Sequence, residues 1–340
     1  MSALLGLALA LKLLASFEVP QGLAVDGAPF GGISGLDYDR RTGEWLMISD
    51  DRSDKAPARV FVGRLDARGL TVTRQVPLRR EDGSTFPSTV SPAGERVDAE
   101  TLRIDPRGGD LLWTTEGDAA RGFDPALRWV DRQGAAKGAV PTPFRFSHGA
   151  RPNLTFEGLS FSPEGRWLWL SMEAPLAQDG PVSSVAEGGL TRITRLDRQG
   201  KVAAQYAYRL DPIQAAPVRR GDNGISEILA LDDHRLLVLE RSGVEGAAGR
   251  FAYHCRLYVV DVRGAPDVAG RERLDDSVRP LRKKLLVNFD RLANVPTSNL
   301  EAMAFGPSRD GRRTLVLMSD DNFDPAAPTH VLMFSLGVAR

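Results

Sequence analysis

Ser34-Gly-Leu-Asp-Tyr38, Glu100-Thr-Leu-Arg-Ile104, Glu157-Gly-Leu-Ser-Phe161, Glu227-Ile-Leu-Ala-Leu231 and Glu301-Ala-Met-Ala-Phe305 are five copies of one short pattern, and their spacing decides the fold. Successive copies begin 66, 57, 70 and 74 residues apart. Each leads through a turn into a second apolar run that closes on an acid: Asp50, Glu116, Glu173, Glu240 and Asp320. From the first polar residue to the closing acid the distances are 16, 16, 16, 13 and 19 residues. A repeat of this length with several short strands per copy predicts a β-propeller, in which each repeat is one blade.

Each copy has room for four strands. The first offers Gly35 to Tyr38, Trp45 to Ser49, Arg59 to Leu65 and Leu70 to Leu78, separated by turns such as Asp66-Ala-Arg-Gly69. No segment carries a sustained helical period. The last copy has only three strands, ending at His330 to Leu336, and the unassigned Lys12 to Val19 supplies the fourth. The expectation is therefore an all-β, single propeller of five blades, with the N- and C-terminal strands closing one blade. A sixth blade, made from the long stretches between repeats, is the alternative.

Of the 340 residues, 42% are hydrophobic and 26% charged, which suits one large core. Lys+Arg and Asp+Glu are both 44, so no global basic field favours nucleic acid. Cys255 stands alone, excluding an intrachain disulfide and a cysteine zinc site. Leu4 to Ala10 is an apolar run ending in Ala-x-Ala, too short to span a membrane and similar to the end of a signal peptide. Residues 1–10 are read as such a remnant and 11–340 as the propeller domain, which points to a periplasmic or secreted protein.

A hairpin returns its second strand to the edge where the first began. Glu100, Glu157, Glu227 and Glu301 are thus expected on one rim with Asp50, Glu116, Glu173, Glu240 and Asp320. First strands line a propeller's channel, so these carboxylates should meet at its mouth. Like charges so crowded must gain protons or bind cations. The four histidines have no metal-ligand spacing, so the cation implied is hard and oxygen-loving, with calcium preferred to zinc. Asp320-x-Asn322-x-Asp324 has the opening alternation of a calcium loop but lacks its Gly and distal Glu. The competing reading is structural: such acids can cap backbone N–H groups or pair with arginine between blades. Arg52, Arg96, Arg151 and Arg241 each lie within a few residues of a repeat acid and are candidates for binding an oxyanion. His148 and Arg151 precede Glu157 in one loop and are candidate catalytic partners for it. Gly32-Ile-Ser34-Gly35-Leu36 fails the nucleophile-elbow pattern, and no phosphate loop or dinucleotide fingerprint appears.

Pro29-Phe-Gly-Gly-Ile-Ser-Gly-Leu-Asp-Tyr-Asp39, Asn153-Leu-Thr-Phe-Glu-Gly-Leu159, Asp222-Asn-Gly-Ile-Ser-Glu227, Leu237-Val-Leu-Glu-Arg-Ser242 and Ser319-Asp-Asp-Asn-Phe323 closely resemble the phytase-like family, "esterase-like activity of phytase". The resemblance spans about residues 12 to 336. It implies an exported propeller with phosphoric-ester hydrolase activity, but brings no catalytic residue set with it. The expected function is calcium-dependent hydrolysis of a small anionic ester in an acidic central cavity, with no partner protein evident. A calcium-dependent lactonase or carboxylesterase, and a non-catalytic binding module, are the alternatives.

Overall fold

The computed structural model describes residues 9–91, 94–118, 121–142, 144–309 and 311–338. Five four-stranded antiparallel sheets form the blades. Blade one is β4 (Ile33–Asp39), β5 (Glu44–Ser49), β6 (Arg59–Asp66) and β7 (Gly69–Pro77), preceded by the short pair β2 (Ala24–Val25) and β3 (Ala28–Pro29). Blade two is β8 (Ala99–Ile104), β9 (Leu111–Thr115), β10 (Ala126–Val130) and β11 (Ala136–Val140). Blade three is β12 (Phe156–Phe161), β13 (Leu168–Met172), β14 (Leu190–Leu196) and β15 (Val202–Arg209). Blade four is β16 (Gly224–Ala230), β17 (Arg235–Glu245), β18 (Phe251–Asp261) and β19 (Lys283–Asn288). Blade five runs β20 (Leu300–Arg309), β21 (Arg312–Ser319), β22 (His330–Val338) and then β1 (Leu9–Glu18) from the other chain end.

That last pairing is antiparallel, with Lys12 opposite Ser335 and Glu18 opposite His330, as the strand deficit of the fifth repeat predicted. Leu9 and Ala10 already belong to the strand, so the blade begins before residue 11. Residues 1–8 of the expected signal-peptide remnant lie outside the described residues. The count is five blades, not six, because the long inter-repeat stretches form loops. One of them holds the short helix α1 (Phe144–Gly149), which the sequence pattern did not indicate.

Burial shows why the ring closes. Five buried apolar clusters lie between neighbouring blades, one for each interface. The interface between blades five and one packs Ala302, Val316 and Met333 against Leu36, Trp45 and Phe61. Each blade thus packs the two faces of its sheet against its neighbours. Cys255 is one of these buried residues, in the cluster between blades four and five.

The axis is pinned at mid-depth by one ion pair. Arg103 Nη2 lies 2.7 Å from Glu227 Oε2, and both side chains are buried. Arg103 also donates to the carbonyls of Leu36, Leu102, Ile228 and Met303. Glu227 accepts from Thr101 Oγ1 at 2.7 Å and from the Leu159 amide at 3.1 Å. Together the pair touches inner strands of all five blades, which is possible only on the axis.

Candidate functional site

Every inner strand carries a β-bulge at its first turn. Register slips between Ile33 and Gly35, Ala99 and Leu102, Phe156 and Leu159, Ile225 and Glu227, and Leu300 and Ala302. A bulge adds one residue and re-aims its side chain. The added residues are Ser34, Glu100, Glu157, Ser226 and Glu301. The second strands stand opposite them, with Ser49, Thr115, Met172, Glu240 and Ser319 in matching ladder positions. The next residues, Asp50, Glu116, Glu173, Arg241 and Asp320, form the second ring of the mouth.

This corrects the sequence reading in the fourth repeat, where the frame is one residue out. The bulge residue there is Ser226 and the closing residue Arg241, so neither Glu227 nor Glu240 joins the acid ring. Glu227 is the axial partner of Arg103 described above. Glu240 faces the other side of its strand, where Tyr208 Oη donates at 2.6 Å and Asn223 Nδ2 and the Asp211 amide at 2.9 Å, and Lys283 Nζ lies at 2.5 Å. Gly224-Ile-Ser226 repeats Gly32-Ile-Ser34 and was the signal that could have set the frame.

The remaining acids converge. One oxygen each from Asp50, Glu301 and Asp320 lie within 4.8 Å of one another, and the same holds for Asp98, Glu100 and Glu116 and for Glu116, Glu157 and Glu173. Asp98 was missed in the sequence because it precedes its repeat by two residues. Two guanidiniums meet these carboxylates. Arg52 lies 2.5 Å from Asp98 and also donates to Asn153. Arg241 donates to Glu173 at 2.9 Å and sits 3.4 Å from Glu301. Ser34 Oγ donates to Glu100 at 2.7 Å, the Thr155 amide to Glu116, and Asn299 Nδ2 to Glu301 and Asp320 at 3.0 and 3.2 Å.

Close approach demands glycine at two equivalent places. Gly32 has φ +60°, and a Cβ there would collide with the Asp50 carboxylate. At Gly224 a Cβ would stand 2.5 Å from Glu173 Cγ.

Electrostatically the centre is under strain. Burial first, then Asp320, Glu301 and Asp98, push Asp50 well above the usual carboxylate range. Burial and neighbouring acids do the same to Glu100 and Glu157. Glu173 is also raised well above its ordinary value by burial, against the opposing pull of Arg241. Burial and Asp98 push Glu116 up to about 8. Burial raises Glu301 against the pull of Arg241, while burial and Glu301 hold Asp320 well up. Such a set is stable only with protons or cations among its members. The donors are all oxygen, which suits calcium. The buried Asp98 Oδ1 and Asn299 Oδ1 have no hydrogen-bond partner among the described residues, and a cation would satisfy them.

Two of the expected site residues, Arg151 and Arg96, are engaged by other groups. Arg151 is spent on the backbone, donating to the Pro175 and Gly180 carbonyls at 2.9 Å each, where it ties down a loop. Arg96 is buried against the Ser91 carbonyl and lies 3.6 Å from Asp118. His148 is exposed on α1, whereas Glu157, beside which it was expected to act, is buried. Beyond Asp320, the calcium-loop alternation is a turn: the Asn322 amide donates to Asp320 Oδ1, and Asn322 and Asp324 are exposed.

The fold and site define a five-bladed propeller with an acidic centre at one mouth of its channel. The profile of the Phytase-like family, described as "Esterase-like activity of phytase", matches residues 28–323, and the chain belongs to that family. No curated protein matches the sequence. Among solved structures, the catalytic domain of a GH62 α-L-arabinofuranosidase from Coprinopsis cinerea is similar at 9% identity, covering 97% of each chain with a TM-score of 0.46. A glycosyl hydrolase from Bacteroides ovatus is similar at 9% identity, covering 98% of this chain and 92% of the other, with a TM-score of 0.45. A mannose phosphorylase from Leishmania mexicana is similar at 10% identity over 95% and 88%, with a TM-score of 0.43.

Proposed function

We propose that this protein is an exported hydrolase of small phosphoric esters that works with a divalent cation, calcium by preference. The observation that carries the reading is the meeting of Asp50, Asp98, Glu100, Glu116, Glu157, Glu173, Glu301 and Asp320 with Arg52 and Arg241 at one channel mouth. Membership of the phytase-like family supports it. Export rests on the apolar Leu4 to Ala10 run. No helix among the described residues is long and apolar enough to cross a membrane.

Calcium, if held by these carboxylates, would supply a Lewis acid able to neutralise phosphoryl oxygens and acidify a water. Arg52, with its side chain 45% exposed, is placed to meet an arriving anion, and Arg241 waits deeper between Glu173 and Glu301. Guanidinium groups favour phosphate through paired, charge-assisted hydrogen bonds. Glu157 has no cation within ion-pair distance among the described residues and is raised by burial, so it can take the proton of the attacking water. The water oxygen bonds to phosphorus, the phosphorus–oxygen bond to the alcohol breaks, and the alcohol takes a proton from solvent.

The test is a panel of phosphomonoesters, lactones and carboxylic esters, assayed on chelator-treated and calcium-loaded protein, with Glu157→Gln beside wild type. The expected result is phosphoester turnover that needs calcium and falls by about 10²–10⁴ in Glu157→Gln, with thermal melting little changed. Turnover indifferent to complete calcium removal rejects the mechanism. Turnover on lactones or carboxylic esters alone reassigns the substrate, and none on any ester leaves a binding module.

A further inference from the structure

The acids of the centre do not form one continuous ligand set. Asp50, Glu301 and Asp320, from blades one and five, share no member with the other two groups. Those two, Asp98–Glu100–Glu116 and Glu116–Glu157–Glu173, share Glu116 and so make one five-carboxylate set on blades two and three. Arg241 stands between the halves, bonded to Glu173 on one side and near Glu301 on the other.

Each half also holds a buried oxygen with an unmet acceptor. Asn299 is 5% exposed; its Nδ2 donates to Glu301 and Asp320, while its Oδ1 has no partner among the described residues. Asp98 is 4% exposed; one oxygen meets Arg52, while Oδ1 has no partner among the described residues. Charge counting points the same way. Eight carboxylates against Arg52 and Arg241 leave six negative charges, of which one divalent cation would neutralise a third and two would neutralise two thirds.

We propose that the centre holds two divalent cations at inequivalent sites: one at Asp50, Glu301 and Asp320 beside Asn299, the other at Asp98, Glu100 and Glu116 backed by Glu157 and Glu173. This rests on the reading of the centre as a cation site and adds the number and the ligands. The sites differ in access. Asp50 is only half-buried, whereas the ligands of the second set are all buried. The first site therefore exchanges its ion faster than the second.

The experiment is a calcium titration of the chelator-stripped full chain by calorimetry, with bound calcium counted by equilibrium dialysis. Wild type should bind two calcium ions per chain, with separable affinities. The double change Asp50→Asn, Asp320→Asn should remove one ion, and Glu100→Gln, Glu116→Gln should remove the other. Asn299→Ala, which deletes no charge, should weaken one ion by about 10- to 100-fold and leave the second unchanged. Circular dichroism and gel filtration check folding, and Asn299→Ala keeps the test open should either double variant misfold. A wild-type stoichiometry of one, or both variant sets weakening the same ion, overturns the proposal. Two ions in a protein without ester turnover would sink the hydrolase reading and leave this one standing, whereas turnover with a single bound ion does the reverse.

Discussion

Replacing Glu116 by glutamine should stabilise the cation-free protein at pH 8 and make it respond less to calcium. Glu116 is 4% exposed, and burial together with Asp98 pushes its carboxyl from 4.5 up to about 8. Below pH 4.5 the folded and unfolded carboxyls both hold the proton, so folding carries no penalty. Between pH 4.5 and about 8 the unfolded chain releases a proton that the folded chain keeps, and stability falls as pH rises. Above that window the whole cost is present, about 5 kcal/mol for this shift at about 1.4 kcal/mol per unit. Crowded neighbours share the cost, so the expected gain in Glu116→Gln is about 2–5 kcal/mol. The amide oxygen can still accept from the Thr155 amide, so no donor is orphaned. With an unfolding entropy near 2.1 cal/mol/K per residue over 340 residues, the gain corresponds to about 3–7 °C in Tm. Scanning calorimetry in chelator at pH 5 and pH 8 reads it directly, and the gap should shrink at pH 5. Calcium at a hundred times its Kd adds about 2.7 kcal/mol to wild type and less to the variant, so the gap between them should narrow. A chelator-treated wild type that melts above Glu116→Gln at pH 8, or a gap that ignores pH, refutes the reasoning.

Glu227→Gln leaves Arg103 charged on the axis without its partner and should cost about 3–5 kcal/mol in urea unfolding; an unchanged midpoint would show that the pair does not pin the blades. Gly32→Ala, which sets a Cβ against the Asp50 carboxylate at a left-handed backbone, should cost about 1–3 kcal/mol and weaken one calcium ion; intact affinity for both ions would contradict the close packing. Deleting residues 1–18 strips β22 of its partner strand and exposes its edge, so the shortened chain should aggregate or melt far earlier, as gel filtration and thermal scans would show. A monomeric truncation with the wild-type Tm would mean that the ring closes without β1.

The repeat was legible because each blade solves the same packing problem with the same residues. Small polar or acidic residues open the inner strand, apolar residues fill the blade interface, and an acid ends the second strand. Repeat number and terminal closure followed from counting strands. The fourth blade defeated the count because its second strand continues to Glu245 without the break that marks the others, and Glu240 there imitates a closing acid. A one-residue slip turns a side chain to the other face of its strand. Thus Glu227 and Glu240, alike to Glu157 and Glu173 in sequence, left the ring, and Arg241 entered it.

The propeller, its five repeats and an acid-rich mouth could be read from the chain alone, since these depend on residue type repeated at regular spacing, while the choice of five blades over six came from the folded chain. Tertiary structure alone decided which acids meet. That choice depends on bulge positions and on contacts between residues far apart in the chain, such as Ser34 with Glu100 and Arg241 with Glu301. It also decided which arginines were already taken, because Arg151 and Arg96 bond to local backbone that no spacing rule reveals. Charge neutralisation is a property of the assembled ring, and the ring exists only after all five blades have closed.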